Sequence, residues 1–286
     1  MKPFGNNVAF VLDDCVIEVI ADSLSPKGGD RITTFRLRYP RIIHSEFMTH
    51  RAFSRNAQSS RATPVKTMLR DMAVTHWRPR RWLANGKGMV AKGEVTADVA
   101  READEIWDEA FANACAAARE LAALGISKQY TNRLLEPFSH ITVLVTATEW
   151  DNFFKLRIDD RAQPEIRTLA YGMRLALETS KPIERQWHLP FIDDEDKLAP
   201  DTTPDEKYFI ESAAKCARVS YLKFDGEPPA QEDNELLVAK LLSDPERRHL
   251  TPFEHQAVAT PNAFGLTANL AGWMSKRTMM EIKEME

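Results

Sequence analysis

Thr49-His50-Arg51-Ala52-Phe53-Ser54-Arg55-Asn56-Ala57-Gln58-Ser59-Ser60-Arg61 gathers three arginines, one histidine and four hydroxyl side chains into thirteen residues. Such a mixture reads as an anion-binding wall. Arginine presents a planar fork of donors that matches phosphate or carboxylate, and serine and asparagine add the shorter hydrogen bonds that fix an orientation. The run before it, Ile42 to Met48, is largely apolar, so the polar stretch hangs from a buried element. Two more blocks follow: Arg133-Leu134-Leu135-Glu136-Pro137, and Asn152-Phe153-Phe154-Lys155-Leu156-Arg157-Ile158-Asp159-Asp160-Arg161-Ala162-Gln163-Pro164-Glu165-Ile166-Arg167.

The three blocks, in this order, resemble the flavin-dependent thymidylate synthases. His50-Arg51, seven residues, then Ser59 is similar to that family's Arg-His-Arg, seven residues, Ser signature, with Thr49 in place of the first arginine. The second block resembles its Arg-x-x-x-Pro segment, and the third its Phe-x-x-Leu-Arg and Ala-Gln-x-Glu-Ile-Arg stretches. The resemblance implies an α+β fold of the thymidylate synthase complementing protein kind, a mixed or antiparallel sheet packed with long helices. It implies transfer of a one-carbon unit from methylenetetrahydrofolate to C5 of dUMP, with FAD reduced by NADPH supplying hydride, in a homotetramer whose sites are shared between subunits. The partners are then a deoxynucleotide and a folate.

Site residues follow residue by residue. Gln58, Ser59, Arg61 and Arg133 match positions that hold the nucleotide. Arg157 matches the arginine that stabilises uracil ionised at N3; a guanidinium fixed there favours the anion and raises electron density across the ring. Arg157 and Ser59 are the catalytic candidates. His50, Arg51, Asn56 and Asn152 match positions near the flavin, and His255 of Thr251-Pro252-Phe253-Glu254-His255 completes that wall. No metal site is expected.

The chain also departs from the pattern. Ala62 stands for a tyrosine, Arg161 for a histidine, and Thr146-Ala147-Thr148 for a stretch bearing asparagine and arginine, so another deoxypyrimidine monophosphate is an alternative substrate for methylation or hydroxymethylation. A nucleotide-binding protein without catalysis is the alternative from another class. The Phe-Glu-His element lies early in the family but near the C-terminus here, preceded by Ala217-Arg218-Val219-Ser220-Tyr221. Gly272-Trp273-Met274-Ser275-Lys276-Arg277 echoes the arginine motif, so the C-terminal segment reads either as a permuted piece or as a degenerate copy.

With 286 residues, 43% hydrophobic and 28% charged, the chain can bury a sizeable core. Its net charge of −4 argues against a nucleic-acid coat. Cys15, Cys115 and Cys216 lie far apart with no Cys-x-x-Cys, which suggests neither a disulfide framework nor a thiolate metal site. The first fourteen residues make a poor signal peptide, and no segment approaches the ~20 apolar residues of a membrane span. A reducing, cytoplasmic setting is expected.

Along the chain, Val8 to Ala21 and Arg31 to Arg38 read as two strands parted by the turn Ser25-Pro26-Lys27-Gly28-Gly29-Asp30. Arg41 to Ser54 reads as a helix that delivers His50 and Arg51 to one end. Arg78 to Gly93 reads as an ordered loop. A long helix starts at Asp98, carries the stripe Ala100, Ala103, Trp107, Ala110, Phe111, Ala114, Ala118 and Leu121, and stops at Gly125. Ser127 caps a shorter helix that presents Arg133. Phe138 to Thr148 reads as a strand, and Trp150 to Leu156 and Pro164 to Glu178 as helices. The absence of a regular βαβ repeat favours α+β. Residues 1–188 form the expected flavin- and nucleotide-binding core, 189–207 a proline-rich acidic linker, and 208–286 a C-terminal segment. His44, His76, His140, His188 and His249 lack metal-ligand spacing and read as structural; Trp77, Trp82 and Trp107 read as packing residues.

Overall fold

The computed structural model describes residues 9–192 apart from 27 and 89, then 203–220, 223, 227–246, 248–260 and 267–285. Most of the expected linker, 193–202, lies outside the described residues, as do Val8 and Tyr221.

Five strands make the main path of the larger sheet: β1 (Ala9–Leu12), β2 (Cys15–Leu24), β3 (Arg31–Pro40), β4 (Ser54–Ala57) and β5 (His140–Ala147). They run in the order β1-β2-β3-β5-β4, antiparallel throughout. Where the sequence suggests one strand before Ala21, there are two, because the chain reverses at Asp13-Asp14. Asp13 takes φ 49°, a left-handed conformation that aspartate tolerates better than most residues. A register shift between Val19 and Ala21 marks a bulge in β2.

Alternation along the strands sorts residues onto two faces. Phe35, Leu37, Tyr39, Val143 and Val145 are fully buried on one face, under α5 (Asp151–Arg157) and α6 (Pro164–Thr179). Each such side chain contributes about 1.5–3 kcal/mol on removal from water. In α6, Ile166, Leu169, Ala170, Met173 and Ala176 recur at three- and four-residue steps and are buried, while Pro164 opens the helix where its missing N–H costs nothing. Gly172 lets α6 approach β2: a Cβ there would lie 2.7 Å from Ile17 Cδ1.

A separate layer is built from α2 (Val65–Thr75) and α3 (Ala97–Ala123). Trp107, Phe111, Ala114, Cys115 and Ala118 of α3 pack on Met68, Met72, Leu135 and Phe138, and Gly125 at φ 74° ends the helix as its sequence suggests. Ser127 caps α4 (Lys128–Thr131), its side chain accepting from Gln129 N–H at 3.3 Å. A 3-10 turn over Asn132–Phe138 then leads into β5. Residues 76–88 and 90–96 lie in an ordered loop whose arginines are neutralised by Asp108 (Arg78), Asp14 (Arg80) and Glu94 (Arg81).

The opposite face of the sheet is covered by the later chain. Here β6 (Ile183–Glu184) pairs parallel with β2, and β7 (Trp187–His188), β8 (Ala257–Ala259) and β9 (Trp273–Ser275) form a small antiparallel sheet. Phe191 with Cys216 and Val219, at the end of α7 (Glu206–Arg218), packs on Ile20 and Leu144. Ala257, Ala259, Leu270 and Trp273 pack on Ile32. Helices α8 (Gln231–Leu242) and α9 (Lys276–Met285) lie outside α7, around Phe253.

A polar seam joins the two sheets. Ser23 Oγ shares a hydrogen bond with His188 Nδ1 (2.9 Å), His188 Nε2 with Thr34 Oγ1 (2.7 Å), Thr34 with Thr146 Oγ1 (2.6 Å), and Thr146 with His255 Nδ1 (2.8 Å). All five residues are fully buried. Burial holds both imidazoles neutral, each with its pKa lowered to about 3, and Arg185 adds to the effect on His188.

Candidate active site

The opening motif wraps around β4 instead of riding on one helix. Arg41–Ile43 is a 3-10 turn, α1 spans only His44–Phe47, and the chain then turns back into β4. Phe47 and Phe53 both enter the aromatic core beside Phe153, which a continuous helix does not permit. Arg55 closes the turn, its Nη1 donating to the carbonyls of Met48 (2.7 Å) and His50 (3.1 Å).

At this end of β4 sits Arg157. Its Nε–H donates to His50 Nε2 at 2.9 Å, and Nη2 lies 3.4 Å from Thr49 Oγ1. Accepting at Nε2 places the neutral ring's own proton on Nδ1. Burial lowers the His50 pKa to about 4, helped by Arg157 and Arg55. The ring also packs edge-on against Phe153, 4.8 Å between centroids, so its orientation is fixed. Arg161 is held by Asp159 and Arg167 by Asp160, which leaves Arg157 to the motif.

At the other end of β4 lie Gln58 and Ser59. Gln58 N–H donates to Thr142 O (2.9 Å), and a 3-10 turn over Ser60–Ala62 carries Arg61 to the surface. Asn132 ties this turn to its neighbour by donating to Ser60 O (2.8 Å) and Thr63 O (2.9 Å). Arg133, the residue after Asn132, is paired with Glu136 at 2.9 Å, and the same carboxylate holds Arg41 at 2.8 Å. A cleft of about 160 Å³ opens here, lined by Arg38, Arg41, Gln58, Ser59, His140 and Thr142 among others.

Gln58, Ser59 and Arg61 thus follow one end of β4, and Arg157 and His50 lie at the other, separated by about 13 Å of extended strand. Arg55 bridges the gap electrostatically. With Arg157 it depresses His50; with Arg41, after burial, it depresses His44, whose pKa falls to about 4. The result is a cationic belt along one edge of the sheet. Arg38, Arg41 and His140 belong to it and were not singled out as site residues in the sequence. Their signal was the alternation of β3, which puts Arg36 and Arg38 on one face with the diagonal neighbour His140 on β5.

The five residues matched to a flavin are scattered. Asn56 donates its amide to Cys216 O at 2.7 Å, at the end of α7. His255 is fully buried in the seam, and Thr146 of the departing Thr146-Ala147-Thr148 stretch is its partner. Arg51 and Asn152 are exposed, and His50 is engaged by Arg157. Among the described residues, no group of three or more His, Cys, Asp or Glu is placed to hold a metal, and no helix is long and apolar enough to cross a membrane.

The C-terminal echo folds differently from the motif it resembles. Thr49-His50-Arg51 occupies the turn between α1 and β4, whereas Ser275-Lys276-Arg277 runs from β9 straight into α9, where Arg277 is held by Glu254 (2.5 Å) and Glu281 (2.8 Å).

A family model described as thymidylate synthase complementing protein matches residues 32–183. That span is more than half of the chain and contains all three arginine blocks; the chain belongs to this family. Similar solved structures include the UMP/dUMP methylase PolB from Streptomyces cacaoi bound with 5-Br UMP, at 17% identity and a TM-score of 0.48, covering 59% of this chain and 91% of that one. The same methylase bound with 5-Br dUMP gives 16% identity and a TM-score of 0.47, with 58% and 90% covered. No curated protein matches the chain in sequence.

Proposed function

We propose that this protein is a flavin-dependent thymidylate synthase, converting dUMP to dTMP with methylenetetrahydrofolate as carbon donor and FAD and NADPH as the source of hydride. The observation that supports this reading is the family match itself, whose span includes His50, Ser59, Arg61, Arg133 and Arg157. In the proposed site Gln58, Ser59 and Arg61 hold the nucleotide phosphate, joined by Arg133 when it exchanges Glu136 for substrate. Arg157, with Nε committed to His50, has Nη atoms to offer uracil; its fixed charge favours the N3 anion and so the nucleophilic C5.

The two halves of the site lie apart on one chain. We therefore extend the proposal to a homotetramer in which each site takes Arg157 from one subunit and the phosphate clamp from another. Arg51 and Arg61 suit this arrangement, since both are exposed and neither makes a hydrogen bond or ion pair among the described residues. The residues matched to a flavin are scattered on this chain. That scatter favours a second reading: Asn56 and His255 are taken up by contacts within the chain, as expected of a nucleotide-binding protein that has dispensed with flavin.

Tritium release from C5-labelled dUMP, with methylenetetrahydrofolate, FAD and NADPH present, tests the first reading. Release that depends on all three supports it. Nucleotide binding without release, together with no flavin absorbance after purification and FAD titration, replaces it by the second.

A further inference from the structure

An apolar cleft lies in the C-terminal layer, between α7, α8, α9 and the 3-10 turn Thr251–Glu254. It measures about 490 Å³ and is bounded by Phe209, Val238, Leu242, Phe253, Met279 and Met280 among others. All of its lining residues fall outside the span 32–183 matched to the family. The volume is that of a small-molecule pocket, ~300–1,000 Å³. It arises from the way α9 sits. From Lys276 to Glu284 no residue of that helix is buried, so α9 leans on its neighbours through ion pairs, Arg277 with Glu254 and Arg248 with Glu284, and leaves the space beneath it unfilled.

The lining selects what can fill it. Apart from four charged residues, Glu206, Lys276, Lys283 and Glu284, every lining residue is apolar. No side-chain hydroxyl, amide or ring nitrogen is there to meet a polar atom, so a nucleobase, a pterin or a sugar would leave its own donors and acceptors unpaired. Hydrocarbon carries no such cost and gains by leaving water. The adjacent methionines suit a flexible chain, since an unbranched thioether adapts to irregular shapes.

Charge sets the other end of the ligand. Lys276, Met279, Met280 and Lys283 follow one another at steps of three, one and three, so they share one face of α9, an ammonium group on either side of the methionine pair and about 10 Å of helix between the two lysines. Both acids of the rim are engaged, Glu206 by Lys276 at 3.5 Å and Glu284 by Arg248. Lys276 also lies over the Phe209 ring, 4.5 Å from its centroid. Lys283 makes no hydrogen bond or ion pair among the described residues. The uncommitted charge at the mouth is therefore positive.

We propose that this cleft binds a medium-chain aliphatic carboxylate, with the hydrocarbon against Phe209, Val238, Phe253 and the methionines and the carboxylate at Lys283. The site is independent of the nucleotide chemistry proposed above.

Calorimetry on the full chain compares the wild type with Lys283→Glu and Val238→Phe. The probe is decanoate; decanol and decyltrimethylammonium carry the same tail with no charge and with a positive one. Decanoate is expected to bind the wild type more tightly than either analogue. Lys283→Glu, an exposed change that leaves the packing alone, should weaken decanoate about tenfold and leave decanol unchanged. Val238→Phe fills the space and should weaken decanoate and decanol together; Lys283→Glu carries the test should that variant fail to fold. Absence of decanoate binding to the wild type overturns the inference, as does binding that Lys283→Glu leaves undiminished, or a preference for the cationic analogue. A wild type that ignores decanoate but changes its oligomeric state in Lys283→Glu gives the cleft to a second copy of the chain and overturns the inference as well.

Discussion

Acidification from about pH 7.5 to about pH 5 is expected to weaken the fold through His188 and His255. Both imidazoles are fully buried in the seam between the sheets, where burial lowers each pKa to about 3. In an unfolded chain histidine takes up its proton near pH 6.5. Between about pH 6.5 and about pH 3 the unfolded chain therefore binds two protons that the folded chain refuses, so stability falls as the pH falls through that window. Well above pH 6.5 the pair contributes no slope. At about 1.4 kcal/mol per pH unit for each group, with the slope setting in near pH 6.5, the loss by pH 5 is about 2 kcal/mol per histidine and about 4 kcal/mol for both. That is a large share of the ~5–15 kcal/mol by which a typical native state is stable. The assay is urea unfolding across the pH range for the wild type and a His188→Gln/His255→Gln double variant, which cannot titrate in the seam. His44, His50 and His140 remain in both proteins, so the difference between the two curves isolates the buried pair. Single variants, each expected to remove half of the difference, serve if the double variant is too unstable. A double variant whose stability declines with acid as steeply as the wild type's refutes the reasoning.

Three further outcomes are expected. Arg157→Ala should keep nucleotide binding and the fold but lower tritium release by about 10²-fold, because only the ionised ring needs that charge; undiminished turnover removes its electrostatic role. Ser59→Ala should weaken dUMP by about 1 kcal/mol, roughly fivefold, in calorimetry, and an unaltered affinity counts against Ser59 as part of the clamp. Gly172→Ala sets a helix-propensity gain of about 1 kcal/mol against overpacking of about 1–3 kcal/mol, since the new methyl meets Ile17 and Leu12 side chains across the sheet. The overpacking should win and lower the unfolding midpoint; a raised midpoint means that the sheet yields at that contact.

Elements with long, uninterrupted patterns were legible from sequence: α3 with its stripe and Gly125 stop, α6 after Pro164, and β5 by its alternation. The stretch from Arg41 to Ser54 was not, because its shape is decided at long range. Phe47 and Phe53 both pack into the aromatic core around Phe153, and Arg55 locks the reversal that this requires; neither contact leaves a periodic trace. The hairpin at Asp13-Asp14 was hidden because β-branched residues flank it on both sides. At the candidate site, Gln58, Ser59, Arg61 and Arg133 were named from the sequence by their resemblance to the family's motifs. Arg38, Arg41 and His140 were passed over because each sits at a strand end, where no motif marks it and only the pairing of β3 with β5 brings them together.

The clasp of late residues upon early ones has a consequence for how the molecule is made. Asn269 donates to Ala52 O and Ser54 Oγ, and Asn56 donates to Cys216 O, so partners 160 to 217 positions apart along the chain secure the strand that carries the arginine motif. During synthesis the motif emerges from the ribosome with its outer edge bare and waits for most of the polypeptide before it can be latched. Such distant closures slow folding. Until the stretches around Cys216 and Asn269 dock, the outer side of β4 is uncovered, and assembly is most vulnerable to wrong pairing in that interval.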